Sequence, residues 1–303
     1  MEKGTNKAIV LVSRPSGMAA ASNFKLVEAP WPEPKEGEVL IKTLYLSVDP
    51  YMRGRMSDRK SYVAPFVVGE AIAGGVIGEV LESQSGAFRA GDIVTGHLKW
   101  QLYSVAKGEQ VRKVDAGLAP ITTALGALGM TGLTAYFGLL EIGRPMPGET
   151  VVVSGAAGAV GTVVCQIANI KGCRVVGIAG TDEKCRYLMS ELGVNAAINY
   201  KTAGDMRQAV AEACPTGVDI YFDNVGGGIS DTVMALINRE ARIVICGQIS
   251  LYNLEKADTG PRVQPLLLVK RALMKGFIVS DYAPRFAEGI NQLRQWLTHG
   301  KLK

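Results

Sequence analysis

The run Ser154-Gly155-Ala156-Ala157-Gly158-Ala159-Val160-Gly161 carries residue types suited to phosphate chemistry, and it follows the short apolar strand Glu149–Val153. Gly158 lets the backbone approach a pyrophosphate, and Gly161 lets the next helix pack closely on its strand. Ala159 and Val160 fall in the first helical turn, where free N–H groups and a positive dipole end meet an anion. Helical character continues over 162–171, and a second strand, Arg174–Ala179, comes next. The glycines alone would be a weak signal. Strand, glycine-rich turn, helix and strand in about thirty residues make it a dinucleotide-site signature. Ala156 stands where the first glycine of the usual pattern would be, so the pattern is degenerate.

The end of the second strand indicates which dinucleotide. An NAD site wants a carboxylate there, about 20 residues past the glycines, to bind the ribose 2′-OH. Here the strand ends in Ala179-Gly180, and Thr181-Asp182-Glu183-Lys184-Cys185-Arg186 follows. Asp182 and Glu183 fit the first turn of a helix capped by Thr181. Lys184 and Arg186 supply positive charge suited to a 2′-phosphate. The segment favours NADP over NAD.

These groups need a scaffold. Residues 8 to about 120 read as β-rich, with strands expected at Ala8–Val12, Phe24–Val27, Val39–Val48, Ile72–Leu81 and Asp92–Val105. Glycines at 69, 74, 75, 78 and 91 suggest the bulges and corners of a small barrel-like domain. From about 121 the pattern alternates. Strands are expected at 150–153, 174–179, 195–199, 218–222, 241–246 and 276–279, and helices near 131–141, 159–171, 182–192, 204–213 and 229–238. That alternation predicts an α/β fold with a doubly wound parallel sheet. Ligands of such sheets lie beyond the carboxyl ends of the strands, which draws attention to 222–227, 245–253 and 276–280.

With 303 residues the chain is long enough for two domains. A net charge of +5 without a long basic run gives no support to nucleic-acid or membrane-surface binding. Five cysteines without a CxxC pair fit buried thiols in a reducing compartment. The amino terminus is polar and no apolar stretch reaches the ~18 residues of a membrane span, so a cytoplasmic location is expected.

The chain also resembles a known family. Ser47-Val48-Asp49-Pro50-Tyr51-Met52-Arg53-Gly54-Arg55-Met56, Gly129-Met130-Thr131-Gly132-Leu133-Thr134-Ala135-Tyr136, the glycine turn, Asp223-Asn224-Val225-Gly226-Gly227 and Cys246-Gly247-Gln248-Ile249-Ser250-Leu251-Tyr252-Asn253 occur in the family's order. They are similar to the zinc-independent, medium-chain, NADPH-dependent double-bond reductases, which include prostaglandin and curcumin reductases. The resemblance implies a GroES-like domain at 1–120, a Rossmann NADP-binding domain at 121–285, and a helix at 286–303 leading back to the first domain. It implies reduction of the carbon–carbon double bond of α,β-unsaturated ketones and aldehydes, a small electrophilic alkene as substrate, and a homodimer. By the same resemblance Gly158 to Gly161 hold the pyrophosphate, and Lys184 and Tyr200 meet the 2′-phosphate. Asn224 lines the cofactor path; Cys246, Gly247, Gln248, Ile249, Ser250 and Tyr252, with Phe277, Ile278 and Val279, flank the nicotinamide half. Tyr51 and Tyr252 face the substrate. Two features depart from the family: Thr131 replaces a usual proline, and a closing carboxy-terminal segment beyond Lys303 is expected to be absent.

Zinc enzymes of similar layout use cysteine and histidine ligands in the first domain. Here the counterpart is Val68-Gly69-Glu70, and no cysteine precedes 165, so no zinc site is expected. Hydride addition to an enone then needs another stabiliser for enolate charge: a tyrosine O–H, a ribose hydroxyl or backbone N–H groups. A proton must also reach the α-carbon. Tyr252, just past a strand end, is the first candidate and Tyr51 the second; Tyr282 is weaker. His97 reads as a loop histidine, Asp49 as a turn residue beside Pro50, and Cys165 and Cys246 as small buried hydrophobes. Quinone reduction on the same scaffold, or NADP binding without turnover, are the alternative readings.

Overall fold

The computed structural model describes residues 5–303, and the chain divides into two compact units between Leu125 and Gly126. In the first, β1 (Asn6–Leu11) pairs antiparallel with β2 (Phe24–Ala29). Strands β3 (Glu38–Leu46), β4 (Ala73–Ser83), β5 (Ile93–Lys99), β6 (Tyr103–Lys107) and β7 (Val111–Lys113) form a second antiparallel sheet, ordered β6-β3-β4-β5-β7. Alternate residues share a face, which gathers Val39, Ile41, Val76, Val80 and Val94 into one buried cluster.

Two expectations are corrected here. The single strand 92–105 is two strands, because Trp100 and Leu102 turn their N–H groups to Ile72 and Lys7 carbonyls. β3 stops at Leu46 rather than Val48; Pro50, which cannot donate to a ladder, then leads into the short helix α1 (Tyr51–Arg55).

The second unit is built on six parallel strands: β8 (Thr150–Ser154), β9 (Arg174–Ala179), β10 (Ala196–Asn199), β11 (Val218–Asp223), β12 (Ile237–Ile245) and β13 (Leu273–Gly276). Their order is β10-β9-β8-β11-β12-β13. Strand order reverses between β8 and β11, the switch point where doubly wound sheets take their ligands. β8 is buried along its whole length, as expected of a central parallel strand covered on both faces.

The helices of this unit are α2 (Met130–Phe137), α3 (Ala159–Ile170), α4 (Asp182–Ser190), α5 (Met206–Ala213), α6 (Gly227–Met234), α7 (Gln264–Lys270) and α8 (Phe286–Thr298). α2 continues as a π-helical turn, Gly138–Gly143. Thr131, in the usual proline position, is buried and donates its hydroxyl to the Gly126 carbonyl at 2.9 Å. The expected helix to residue 238 ends at Met234, because β12 begins at Ile237 and is longer than the expected 241–246. β12 breaks register opposite Val218 and Ile220, with Glu240 left-handed at φ 62°, a kink that no residue-type pattern marks. The last strand is Leu273–Gly276, not 276–279; Val279 already starts a 3-10 segment. No described helix is long and apolar enough to cross a membrane.

Candidate active site

The glycine turn leaves the end of β8 at the switch point and opens α3. Gly158 is the extended N-cap residue and carries no side-chain cap. The turn is fixed from inside by Gly158 N–H to Gly155 carbonyl (2.9 Å) and Ala156 N–H to Ile178 carbonyl (3.0 Å). Gly161 is required: a Cβ there would collide with the Gly155 carbonyl and Ala156 backbone. The first helical N–H groups have no intrahelical acceptor, and Gly158 and Ala159 are exposed. A twelve-residue helix with an open, uncapped start fits a pyrophosphate.

The neighbouring strand end holds the groups expected to read the sugar. Thr181 caps α4, accepting the Lys184 N–H at 3.2 Å, so the Lys184 side chain leaves the first turn of the helix. Tyr200 follows β10; its N–H donates to the Ala179 carbonyl at 3.1 Å and its ring packs over Gly180. Lys184 and Tyr200 are therefore brought to the same end of β9, both exposed.

The third part centres on Asp223, the fully buried last residue of β11. Its Oδ1 accepts the Ser154 hydroxyl (2.9 Å), the Tyr221 hydroxyl (2.8 Å) and the N–H groups of Val225 and Gly226 (2.9 Å each). Its Oδ2 accepts the Gln248 side-chain amide at 3.0 Å. Asn224 is tied to β8 as well, its N–H to Ser154 Oγ at 3.0 Å and its side-chain amide to the Ser154 carbonyl at 2.8 Å. Burial, followed by the Asp223 charge, pushes the Tyr221 hydroxyl well above the usual tyrosine range.

The loop after β12 is stitched to this hub. Cys246 and Gly247 donate N–H groups to the Asp223 carbonyl at 2.9 and 3.1 Å, and Ser250 donates to the Val225 carbonyl through both N–H (3.0 Å) and hydroxyl (2.6 Å). Ile249 donates to the Asn224 carbonyl at 3.3 Å and is exposed. Tyr252, half-buried, turns its hydroxyl back over the loop, where the oxygen accepts the Gln248 N–H at 3.2 Å. That leaves the phenolic hydrogen as a donor. Asn224, 246–250 and Tyr252 thus form one hydrogen-bonded group.

Phe277 and Ile278 follow β13 and Val279 begins the 3-10 segment, all three half-buried. The Phe277 ring packs against Gly138 and meets Tyr282 edge-on at 6.3 Å. Tyr282 itself stacks on Phe137, its ring spent in packing.

Tyr51 lies in the first unit. It opens α1 and packs against the buried cluster of Leu11, Met52, Met56, Phe66 and Ile72. Burial and then Asp49 raise its hydroxyl above the usual tyrosine value. Asp49 accepts the Ser47 hydroxyl at 3.0 Å, a turn role. His97 is not a loop histidine: it lies within β5, opposite Gly75, and its Nε2 is 3.4 Å from Arg55 Nη1. Desolvation and then Arg55 hold its pKa below the usual histidine value, with Asp49 opposing. Ser154 and Asp223 organise the site, although the sequence motifs that contain them give neither residue a role. The available signal was a polar residue ending each of two adjacent apolar strands.

Comparison with known proteins agrees with this geometry. Residues 7–114 match the family described as the N-terminal domain of oxidoreductase, and 159–295 the family described as zinc-binding dehydrogenase. YfmJ of Bacillus subtilis (strain 168), an NADP-dependent oxidoreductase by name, is 60% identical over 300 residues, covering 98% of this chain and 88% of that protein. The NADPH-dependent curcumin reductase of Escherichia coli (strain K12) is 44% identical over 306 residues, covering 99% and 88%. The crystal structure of CurA from Vibrio vulnificus in complex with NADPH superposes with a TM-score of 0.92 at 45% identity, covering 98% of this chain and 89% of that one.

The donor set does not fit the zinc of the second family's description. Four of the five thiols are buried and Cys246 is half-buried. His97 faces a guanidinium rather than another ligand. Among the described residues no three His, Cys, Asp or Glu side chains cluster as a metal site.

Proposed function

This chain belongs to the medium-chain oxidoreductase family of curcumin reductase and prostaglandin reductase 1, and from that premise we propose that it reduces the carbon–carbon double bond of α,β-unsaturated ketones and aldehydes with NADPH. The observation that carries the reading is the single hydrogen-bonded group at the switch point. It joins the phosphate turn, through Ser154 and Asp223, to the loop bearing the Tyr252 hydroxyl.

NADPH, when bound, supplies the hydride that the β-carbon of the substrate receives. The open start of α3, from Gly158 to Gly161, holds its pyrophosphate, and Lys184 and Tyr200 hold the 2′-phosphate. Asn224, residues 246–252 and residues 277–279 flank the nicotinamide half. Tyr252 donates its O–H to the substrate carbonyl oxygen as enolate charge develops, where a positioned donor has most effect. Tyr51 is the alternative donor, and the α-carbon takes its proton from one of these hydroxyls or from water.

The test compares NADPH oxidation with a simple enone, benzylideneacetone, and a simple quinone. Faster turnover per KM on the enone, with the saturated ketone as product, is expected. Turnover on the quinone alone would replace this reading with quinone reduction, and tight NADPH binding with neither reaction would leave a binding protein.

The five free thiols suit a reducing, cytoplasmic setting. β13 lies at one edge of the sheet, with Leu268, Val269 and Leu273 exposed nearby. An edge strand of this kind can pair across a two-fold axis, so a homodimer is expected in light scattering at micromolar concentration.

A further inference from the structure

Gln248 is the only link between Asp223 Oδ2 and the Tyr252 hydroxyl among the described contacts, and it makes three bonds that no local pattern requires. Its side-chain amide donates to Asp223 Oδ2 at 3.0 Å and to the Gly247 carbonyl at 2.9 Å, while its backbone N–H donates to the Tyr252 oxygen at 3.2 Å. The inward pose is sterically provided for. Gly226 is left-handed at φ 74°, and a Cβ there would collide with the Gln248 amide.

We infer that Gln248, anchored by Asp223, is a positioning residue that sets the direction in which Tyr252 offers its proton. The inference rests on the proposed role of Tyr252 in double-bond reduction and adds the device that orients it. With its oxygen occupied by the Gln248 N–H, the phenol keeps its hydrogen for an outside acceptor. The loop cannot rotate that N–H away while the side chain holds both Asp223 and Gly247. Turning the amide over would set its oxygen against the Gly247 carbonyl and its nitrogen toward Gly226, so only one orientation satisfies both acceptors. Asp223 in turn is held by four donors on its other oxygen, which makes it a rigid anchor. A networked hydrogen bond of this kind acts as a unit rather than as independent pairs. The same pose turns the Gln248 side chain inward, so only its backbone is left to flank the nicotinamide half.

Two substitutions separate these roles. Asp223→Asn leaves Oδ1 and its four donors in place but sets an N–H against the Gln248 amide; Gln248→Met keeps the side-chain length and removes both donors. Each is expected to lower kcat on benzylideneacetone about tenfold, the effect of one charge-assisted hydrogen bond. NADPH affinity by fluorescence titration should stay within about twofold. The double variant should lose no more than the worse single, and neither change should lower kcat further in a Tyr252→Phe background. NMR of Cζ-labelled tyrosine should show the Tyr252 resonance shifted or broadened in Gln248→Met. Melting curves identify any variant that fails to fold, and Gln248→Met, at a half-buried loop position, then carries the test alone. An unmoved Tyr252 resonance, or losses that multiply in the Tyr252→Phe background, would overturn the inference. If the wild-type protein reduces no enone, the functional reading falls, while the resonance still decides whether Gln248 holds Tyr252.

Discussion

The Asn199 side-chain amide donates to the Asp182 carboxylate at 2.6 Å across the ends of β9 and β10. Asp182, in the first turn after β9, is therefore engaged by the protein, while Lys184, two residues on in the same turn, is exposed. Lys184→Ala should raise KM for NADPH about tenfold or more, the effect of one charge-assisted contact, with much less change for NADH. Equal losses with both cofactors would remove Lys184 as the phosphate reader.

Tyr252→Phe keeps the ring and deletes the donor. If the hydroxyl acts only as enolate charge develops, kcat and kcat/KM fall together and KM for the enone holds. Loss of one preorganised donor can cost ~10²-fold; with a ribose hydroxyl available in NADPH to share the task, a drop of about tenfold is expected. A change confined to KM would make Tyr252 a wall of the pocket, and no change would make Tyr51 the donor to test next.

Turnover is expected to be independent of metal, since no three His, Cys, Asp or Glu side chains cluster among the described residues. Prolonged dialysis against a chelator should leave turnover unchanged, and elemental analysis should find less than stoichiometric zinc.

The thiols set a pH limit. Burial raises Cys165 and Cys246 to about 12, and Cys173 and Cys214 to about 11, from an unfolded value of 9.0. A folded value above the unfolded one contributes stability that is complete below the unfolded pKa and is lost as pH rises toward the folded one. The melting temperature should thus be insensitive to these groups below about pH 9 and fall above it. At pH 8, Ellman's reagent should react slowly with the native protein and promptly with five thiols after denaturation. A prompt thiol in the native state would contradict the buried environments.

The sequence by itself determined the glycine-rich turn, the α/β alternation, the Thr181 cap and the β-rich first unit. Each rests on residues within a few positions of one another: a glycine needed for close packing at 161, an N-cap three residues before Lys184, or an alternation of period two. What only the tertiary structure decided has no such local mark. Ser154 and Asp223 lie 69 residues apart in the chain, and Asp223 and Gln248 lie 25 apart. Their bonds arise because β8, β11 and β12 are neighbours in the sheet, which strand order sets and residue periodicity does not. The division of 92–105 into β5 and β6, the early start of β12, and the placement of His97 within β5 have the same origin. Backbone groups there take partners from distant strands, and those partners override the local preference for where an element begins or ends.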